Sequence, residues 1–365
     1  MKRPFIIILL LSAMAGFVPA MAQTGGPVDL DALYQQIDEA ISQSPQYTAA
    51  RKRQIDACRD SFLMEKDMEQ RAQTAERLFL FYQPYNNDSA FHYAEVCIGL
   101  AESLHRPDLV GKYRSMLAYQ CSNVNLYTES LDQLHKVDKS ALDSTGLLDY
   151  YKAWMHVCGE LGSNTPRQRL KQDYYDMQDN YRDSVLMVTK EGSEEWYHLK
   201  VDILCARRLF QDALALSDEW LQKVKAESHE SAFAAFYRSM VYDHLKNHDM
   251  TCYWLGLSAL DDIKCAVTDQ ASLLFLSEHL ANDGDAGRAR RYAEFAKSRN
   301  LDFFPRLRYY QVGPYVHVID KDCEAARSRA DLVLIIASVA ATVFLAALAF
   351  TLLRLRRARA KTRNG

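Results

Sequence analysis

The chain has 365 residues, with 44 Lys and Arg against 47 Asp and Glu, for a formal charge of −3. The balance is uneven: setting aside two basic residues at the N-terminus and six at the C-terminus leaves 36 basic against 47 acidic, a net charge of −11 between them. An acidic body of this kind excludes a nucleic-acid partner, which would need a basic face.

At the N-terminus, Lys2 and Arg3 precede an apolar run from Phe5 to Leu11, and Ala20-Met21-Ala22 supplies an A-x-A site before Gln23. This is the pattern of a secretory signal peptide over residues 1–22, with Ala20 and Ala22 at the cleavage site. Gly16 and Pro19 interrupt the run, which argues against an uncleaved anchor, and no Cys follows it to carry a lipid. From Leu30 to Leu63 the pattern reads as two helices, so residues 23–71 are expected to cap a helical array that begins at residue 72.

From residue 72 to 311 the 3.6-residue apolar period dominates, and Gly and Pro fall at joints. A longer repeat also emerges. The turn residues Tyr85, Asn125, Arg208, Asn247 and Gly284 are each followed, at the same three offsets, by residues that are mostly small. These are Ala90, Ala94 and Cys97; Ser130, Leu134 and Val137; Ala213, Ser217 and Trp220; Cys252, Gly256 and Ala259; and Ala289, Ala293 and Ala296. Small residues early in the second helix of a pair let it pack closely on the first. The first small positions are 40, 83, 39 and 37 residues apart, so one unit without a clear turn fits in the 83-residue interval. "LLDYYKAWMHVCGELG" and "RQRLKQDYYDMQ" supply its helices.

With aromatics two residues after the turn at Tyr127 and Phe210, this pattern resembles a tetratricopeptide-repeat solenoid. The expected fold class is therefore all-α: a tetratricopeptide-like α-solenoid of helix pairs plus one C-terminal transmembrane helix. In such arrays the first helix of each pair lines a concave groove. Carried onto this chain, the register places Phe79, Tyr82, Tyr119, His198, Asp202 and Glu278 at the partner-binding surface. Tyr119 and Glu278 stand where chaperone-binding relatives carry the Asn of a carboxylate clamp, so an acidic C-terminal peptide is not the expected ligand. An aromatic groove suits an extended peptide or an apolar helix, but the same aromatics read equally well as core.

Signatures of chemistry are sparse. No P-loop, dinucleotide fingerprint, nucleophile elbow or H-E-x-x-H motif occurs, so neither an enzyme nor a cofactor is expected. His244, His248 and Cys252 have helical i, i+4, i+8 spacing, but the turn expected at Asn247 to Asp249 would break that face, so no metal is expected. Asn87-Asp88-Ser89 reads as a helix start rather than a glycosylation site, and "KQDYYDMQDNYRD" as a solvated face. The eight cysteines stand singly among apolar residues: most read as small core residues, with room for one or two disulfides if the compartment is oxidising.

Residues 312–331 read as a stalk. From Leu332 to Leu353 run 22 residues without a charge, enough to span a ~30 Å hydrocarbon core. Arg354, Arg356, Arg357, Arg359, Lys361 and Arg363 then crowd the tail at 354–365, which places the C-terminus in the cytoplasm against anionic lipid and the preceding domain outside. Ser338, Thr342 and Ala346 form a small-xxx-small face suited to a homodimer through the span.

A leader, extracytoplasmic helical repeats, one span and a basic juxtamembrane segment together resemble bacterial single-span membrane regulators of uncharacterised function. The stretches carrying this likeness are "ALDDIKCAVTDQASLLFLSEHLANDGDAGRARRYAEFA" and "RLRYYQVGPYVHVID". The resemblance implies an inner-membrane protein whose periplasmic domain binds a protein or peptide partner. It also implies a cytoplasmic coiled coil and output region, for which twelve residues after the span leave no room. Two functions are compatible with this organisation: the sensing half of a regulator, or a membrane-tethered scaffold or assembly factor with no signalling role.

Overall fold

The computed structural model describes residues 28–303, 327–329 and 331–352. The leader with Ala20 and Ala22, most of the stalk, Cys323, Leu353 and the basic tail from Arg354 to Arg363 lie outside the described residues.

Among the described residues, all regular structure is helical. The helices are α1 (Leu30–Met64), α2 (Met68–Tyr82), α3 (Asn87–Ser103), α4 (Pro107–Asn123), α5 (Tyr127–His135), α6 (Ser144–Asn164) and α7 (Gln168–Val188). They continue as α8 (Glu194–Ala206), α9 (Phe210–Lys223), α10 (His229–His244), α11 (His248–Lys264), α12 (Ala271–Asn282) and α13 (Ala286–Phe303). A last helix, α14 (Arg327–Leu352), is long and apolar enough to cross a membrane, and its described side chains are exposed. The even-numbered helices α2 to α12 are the first members of six pairs, and each packs on the helix that follows it. The unit without a clear turn is α6 with α7, two helices of 21 residues each.

The small positions of the repeat do the packing expected of them. Ala90, Ser130, Ala213, Cys252 and Ala289 all have no exposed surface. The joints are less visible in the sequence. In six of them a backbone N–H reaches back five residues across a residue with positive φ, as in Arg106 N to Ala101 O (3.0 Å) and Asp285 N to Leu280 O (2.9 Å). Only the last of these left-handed positions is a glycine, Gly284 at φ 90°; the others are His105, Asn125, Arg208, Lys246 and Ala266. Most helix starts are capped by side chains, among them Asp67, Asn86, Asp143, Ser193 and Asn247.

The N-terminal segment is one continuous helix of 35 residues rather than two, and it does not simply cap one end. Its first half (Leu33, Tyr34, Ile37, Ala40) packs into one core with α11, α12 and α13. Its second half, with Ile55 and Phe62, packs into the core of α2, α3 and α4. Pro45 sits between the halves; it forgoes one helical hydrogen bond, yet the helix continues because both halves are anchored.

α1 thus ties the last repeats to the first and closes the solenoid into a ring. Tyr292 donates to Tyr34 O (3.1 Å), Arg291 pairs with Asp38 (3.4 Å) and Arg299 with Thr48 (3.2 Å). Near the middle of α1, Arg51 donates to Phe81 O (2.7 Å), and Thr268 on the α11–α12 turn bonds Pro84 O and Tyr85 O on the α2–α3 turn (3.1 and 3.0 Å). Close approach at the closure requires a glycine: a Cβ on Gly256 would lie 2.7 Å from Leu33 Cδ2.

The ring has one polar seam. Successive apolar clusters share a helix: α4, then α10, α11 and α1. Between the cluster of α4–α7 and that of α8–α10 no helix is shared. There Lys152 of α6 pairs with Glu195 of α8, and Arg182 of α7 approaches Asp202 at 3.9 Å.

Candidate functional site on the inner face of the ring

Three first-of-pair helices, α2, α4 and α6, wall a cavity of about 330 Å³. Its lining includes Glu76 and Phe79 from α2 and Gln83 at its C-cap, Lys112, Met116 and Tyr119 from α4, and Asp149 and Lys152 from α6. The spacing within each helix explains the convergence: residues three, four or seven apart share a face. The stripes of α2 and α4 carry both apolar and charged residues, whereas that of α6 is polar throughout.

Charge of both signs is fixed here. Lys112 Nζ lies 2.6 Å from Glu76 Oε1, and the Tyr113 hydroxyl donates to the other Glu76 oxygen at 3.0 Å. Lys152 pairs with Glu195, whose Oε1 is 3.5 Å from His198 Nδ1; His198 in turn contacts the Tyr237 hydroxyl. The polar wall therefore runs on from α6 through α8 to α10. Only 31% of the Lys152 side-chain surface and 15% of that of Glu195 is exposed, so the pair is largely withdrawn from solvent.

Burial and pairing shift these groups in opposite directions. Burial raises Asp149 to about 6, although Lys152 and Lys112 pull it down. For Glu195 burial also acts upward, but the His198 contact and the Lys152 ammonium outweigh it and hold the carboxyl down to about 2. Burial works against the Lys152 charge, and Glu195 nonetheless holds its pKa above the ordinary value.

Asp149 therefore makes a pH-dependent contribution. Its folded value lies above the ordinary ~3.9, so the folded chain keeps a proton that the unfolded chain loses between about pH 4 and 6, and stability falls as pH rises through that window. Asp149→Asn is expected to raise stability by about 2 kcal/mol at pH 7.5 and to leave it unchanged near pH 4. Urea unfolding midpoints of the two proteins at both pH values test this; equal midpoints at pH 7.5 refute it.

The residues expected at the groove separate into groups. Phe79 and Tyr119 line the cavity, although Phe79 is only 1% exposed and also belongs to the core of α2–α4. His198 lies on the same wall. Tyr82 turns toward α3 and stacks on Tyr93 at 5.6 Å and 8°. Asp202 is beside Arg182 at the seam, and Glu278 is exposed on α12. The repeat pattern does not mark Lys112, Asp149, Lys152, Glu195 or Tyr237. Their signal would have been charge on the inner stripe of a first-of-pair helix.

Other features resolve plainly. Seven described cysteines are free thiols, four of them buried. The "KQDYYDMQDNYRD" stretch lies on α7, which has one buried residue, Val185, and stacks Tyr181 on Trp154 at 5.3 Å. His244 ends α10 and stacks on Phe210, apart from His248 and Cys252.

A ring of helix pairs whose first helices wall a polar cavity is a tetratricopeptide-type binding architecture, a fold that typically serves interaction rather than catalysis. The family described as the SusR N-terminal TPR domain matches residues 41–314, and the chain belongs to that family. No curated protein matches the sequence.

Proposed function

We propose that the chain is the extracytoplasmic binding half of a membrane-anchored regulatory protein, and that its inner-face cavity receives a segment of a protein partner outside the cytoplasm. The carrying observation is the cavity itself, where two lysines and two carboxylates are held around Phe79, Met116 and Tyr119, with Glu195 paired to one of the lysines. Holding buried charge of both signs costs folding free energy that an apolar core would not. About 330 Å³ admits one or two side chains of an extended peptide, and fixed cations and anions orient it. Membership of a TPR family supports a protein partner. The apolar α14 and the basic residues after it support a single span with the C-terminus in the cytoplasm, and the leader supports export.

A photoreactive aromatic in place of Tyr119, in the full chain within its native envelope, tests this reading. The expected result is a reproducible protein adduct that is absent when the probe replaces Asp173, exposed on α7. Equal adducts from both positions, or capture of small molecules alone, would sink the proposal.

A further inference from the structure

We propose that His248, Cys252 and His279 form a binding site for a tetrahedral divalent transition metal of the Zn²⁺ type, bridging α11 and α12, with Asp283 beside His248. The site is built from two i, i+4 pairs on adjacent helices: His248 with Cys252 on α11, and His279 on α12 with Asp283 at its C-cap. Residues four apart share a helix face, and antiparallel packing of α11 on α12 turns the two faces together. One ligand atom each from His248, Cys252 and His279 lies within 4.8 Å of the others. The His248 and His279 rings meet at 5.2 Å between centroids, and His248 Nε2 is 2.8 Å from Asp283 Oδ2.

The spacing fits the ion. With Zn–S near 2.3 Å and Zn–N near 2.0–2.1 Å, a tetrahedral S···N edge is about 3.5 Å; His248 Nε2 and Cys252 Sγ are 3.6 Å apart. An N₂S donor set with a fourth position open suits Zn²⁺, whereas Mg²⁺ and Ca²⁺ prefer oxygen alone.

The Asp283 contact accounts for His248 but not for Cys252 and His279 gathered beside it. A thiol is a weak hydrogen-bond partner, and two imidazoles this close repel once protonated. Metal binding by Cys252 requires loss of the thiol proton, so affinity for the ion falls as pH falls. The turn before α11 excludes His244 from the set, yet His248 is already the first residue of the helix.

The site also lies under the ring closure. Tyr34 of α1 is a hydrogen-bond neighbour of Cys252, and Cys252 shares its apolar cluster with Leu33 and Ile37. A bound ion would join two of the helices on which the first half of α1 rests.

Titration of the reduced, metal-free full chain with Co²⁺, and competition with a chromogenic chelator for Zn²⁺, test the proposal. Expected are one ion per chain, the intense visible absorption of four-coordinate Co²⁺, and a thiolate-to-metal charge-transfer band. Cys252→Ser should remove the charge-transfer band. The exposed His248→Gln should weaken Zn²⁺ binding by at least about 100-fold, beyond the 10–100-fold that outer-shell partners cost, and His279→Gln likewise. His244→Gln should bind as the parent does. If Cys252→Ser fails to fold, the two histidine variants decide. Absence of stoichiometric binding, a six-coordinate Co²⁺ spectrum, or undiminished affinity in His248→Gln and His279→Gln overturns the site.

Discussion

Ile37→Asp is expected to unlatch the first half of α1 from α11–α13 while its second half stays docked. Ile37 has no exposed surface and lies in the same cluster as Leu255, Ala259 and Tyr292. Removing a buried Ile side chain costs about 2–5 kcal/mol, and an unpaired carboxylate left in an apolar site adds several more. The total rivals the ~5–15 kcal/mol that stabilises a whole domain, so the strain is relieved by local detachment. Pro45 supplies the place to break, since the helix already lacks one hydrogen bond there. Hydrogen exchange on the full chain reads the outcome: amides of residues 30–44 should become fast, while those of 55–64, held by Ile55 and Phe62, remain protected. Unchanged protection over residues 30–44 would mean that α1 does not close the ring.

The closure was not legible in the sequence, for a physical reason. Its contacts join residues such as Tyr34 and Tyr292, or Pro84 and Thr268, which are far apart in the chain and carry no local periodicity. Pro45 pointed the other way, because a proline inside a helical pattern ordinarily ends it. The repeat itself was legible, because close packing of one helix on its partner demands small residues at fixed offsets, and Ala90, Ala213 and Ala289 obey that demand. Its joints were less so. Gly284 marks a left-handed position openly, whereas His105, Lys246 and Ala266 adopt the same backbone with residues that do not advertise it.

The cavity was half legible for a related reason. Counting back from the turn reaches Tyr119 on α4, but α6 has 21 residues against 17 in α4 and ends at Thr165 without a left-handed joint. The same count therefore misses Asp149 and Lys152. The metal constellation depends on two helices meeting face to face, and α11 alone shows only half of it.

Lys152→Met is expected to destabilise the chain by about 3–5 kcal/mol at pH 7, the cost of stranding a buried partner charge. Glu195 would keep only His198, 3.5 Å away, against the burial that already disfavours its charge. A solvated surface pair would cost no more than about 1 kcal/mol, so the size of the effect shows whether this seam is truly interior. The pH dependence adds a second readout. In the parent, the depressed Glu195 value contributes stability that is present above its unfolded ~4.3 and lost as pH falls through about 2. In Lys152→Met the stranded carboxylate can take up a proton instead, so the penalty should shrink between pH 7 and pH 4. Lys152→Met combined with Glu195→Leu should recover most of the loss, because the buried charge is then gone from both sides of the seam. Denaturant midpoints of the parent and both variants at the two pH values decide the matter. A neutral single variant at pH 7, or a double variant no better than the single, would mean that the pair does not hold α6 to α8. Full recovery in the double variant would instead show that the ring can be closed at this joint by apolar packing alone.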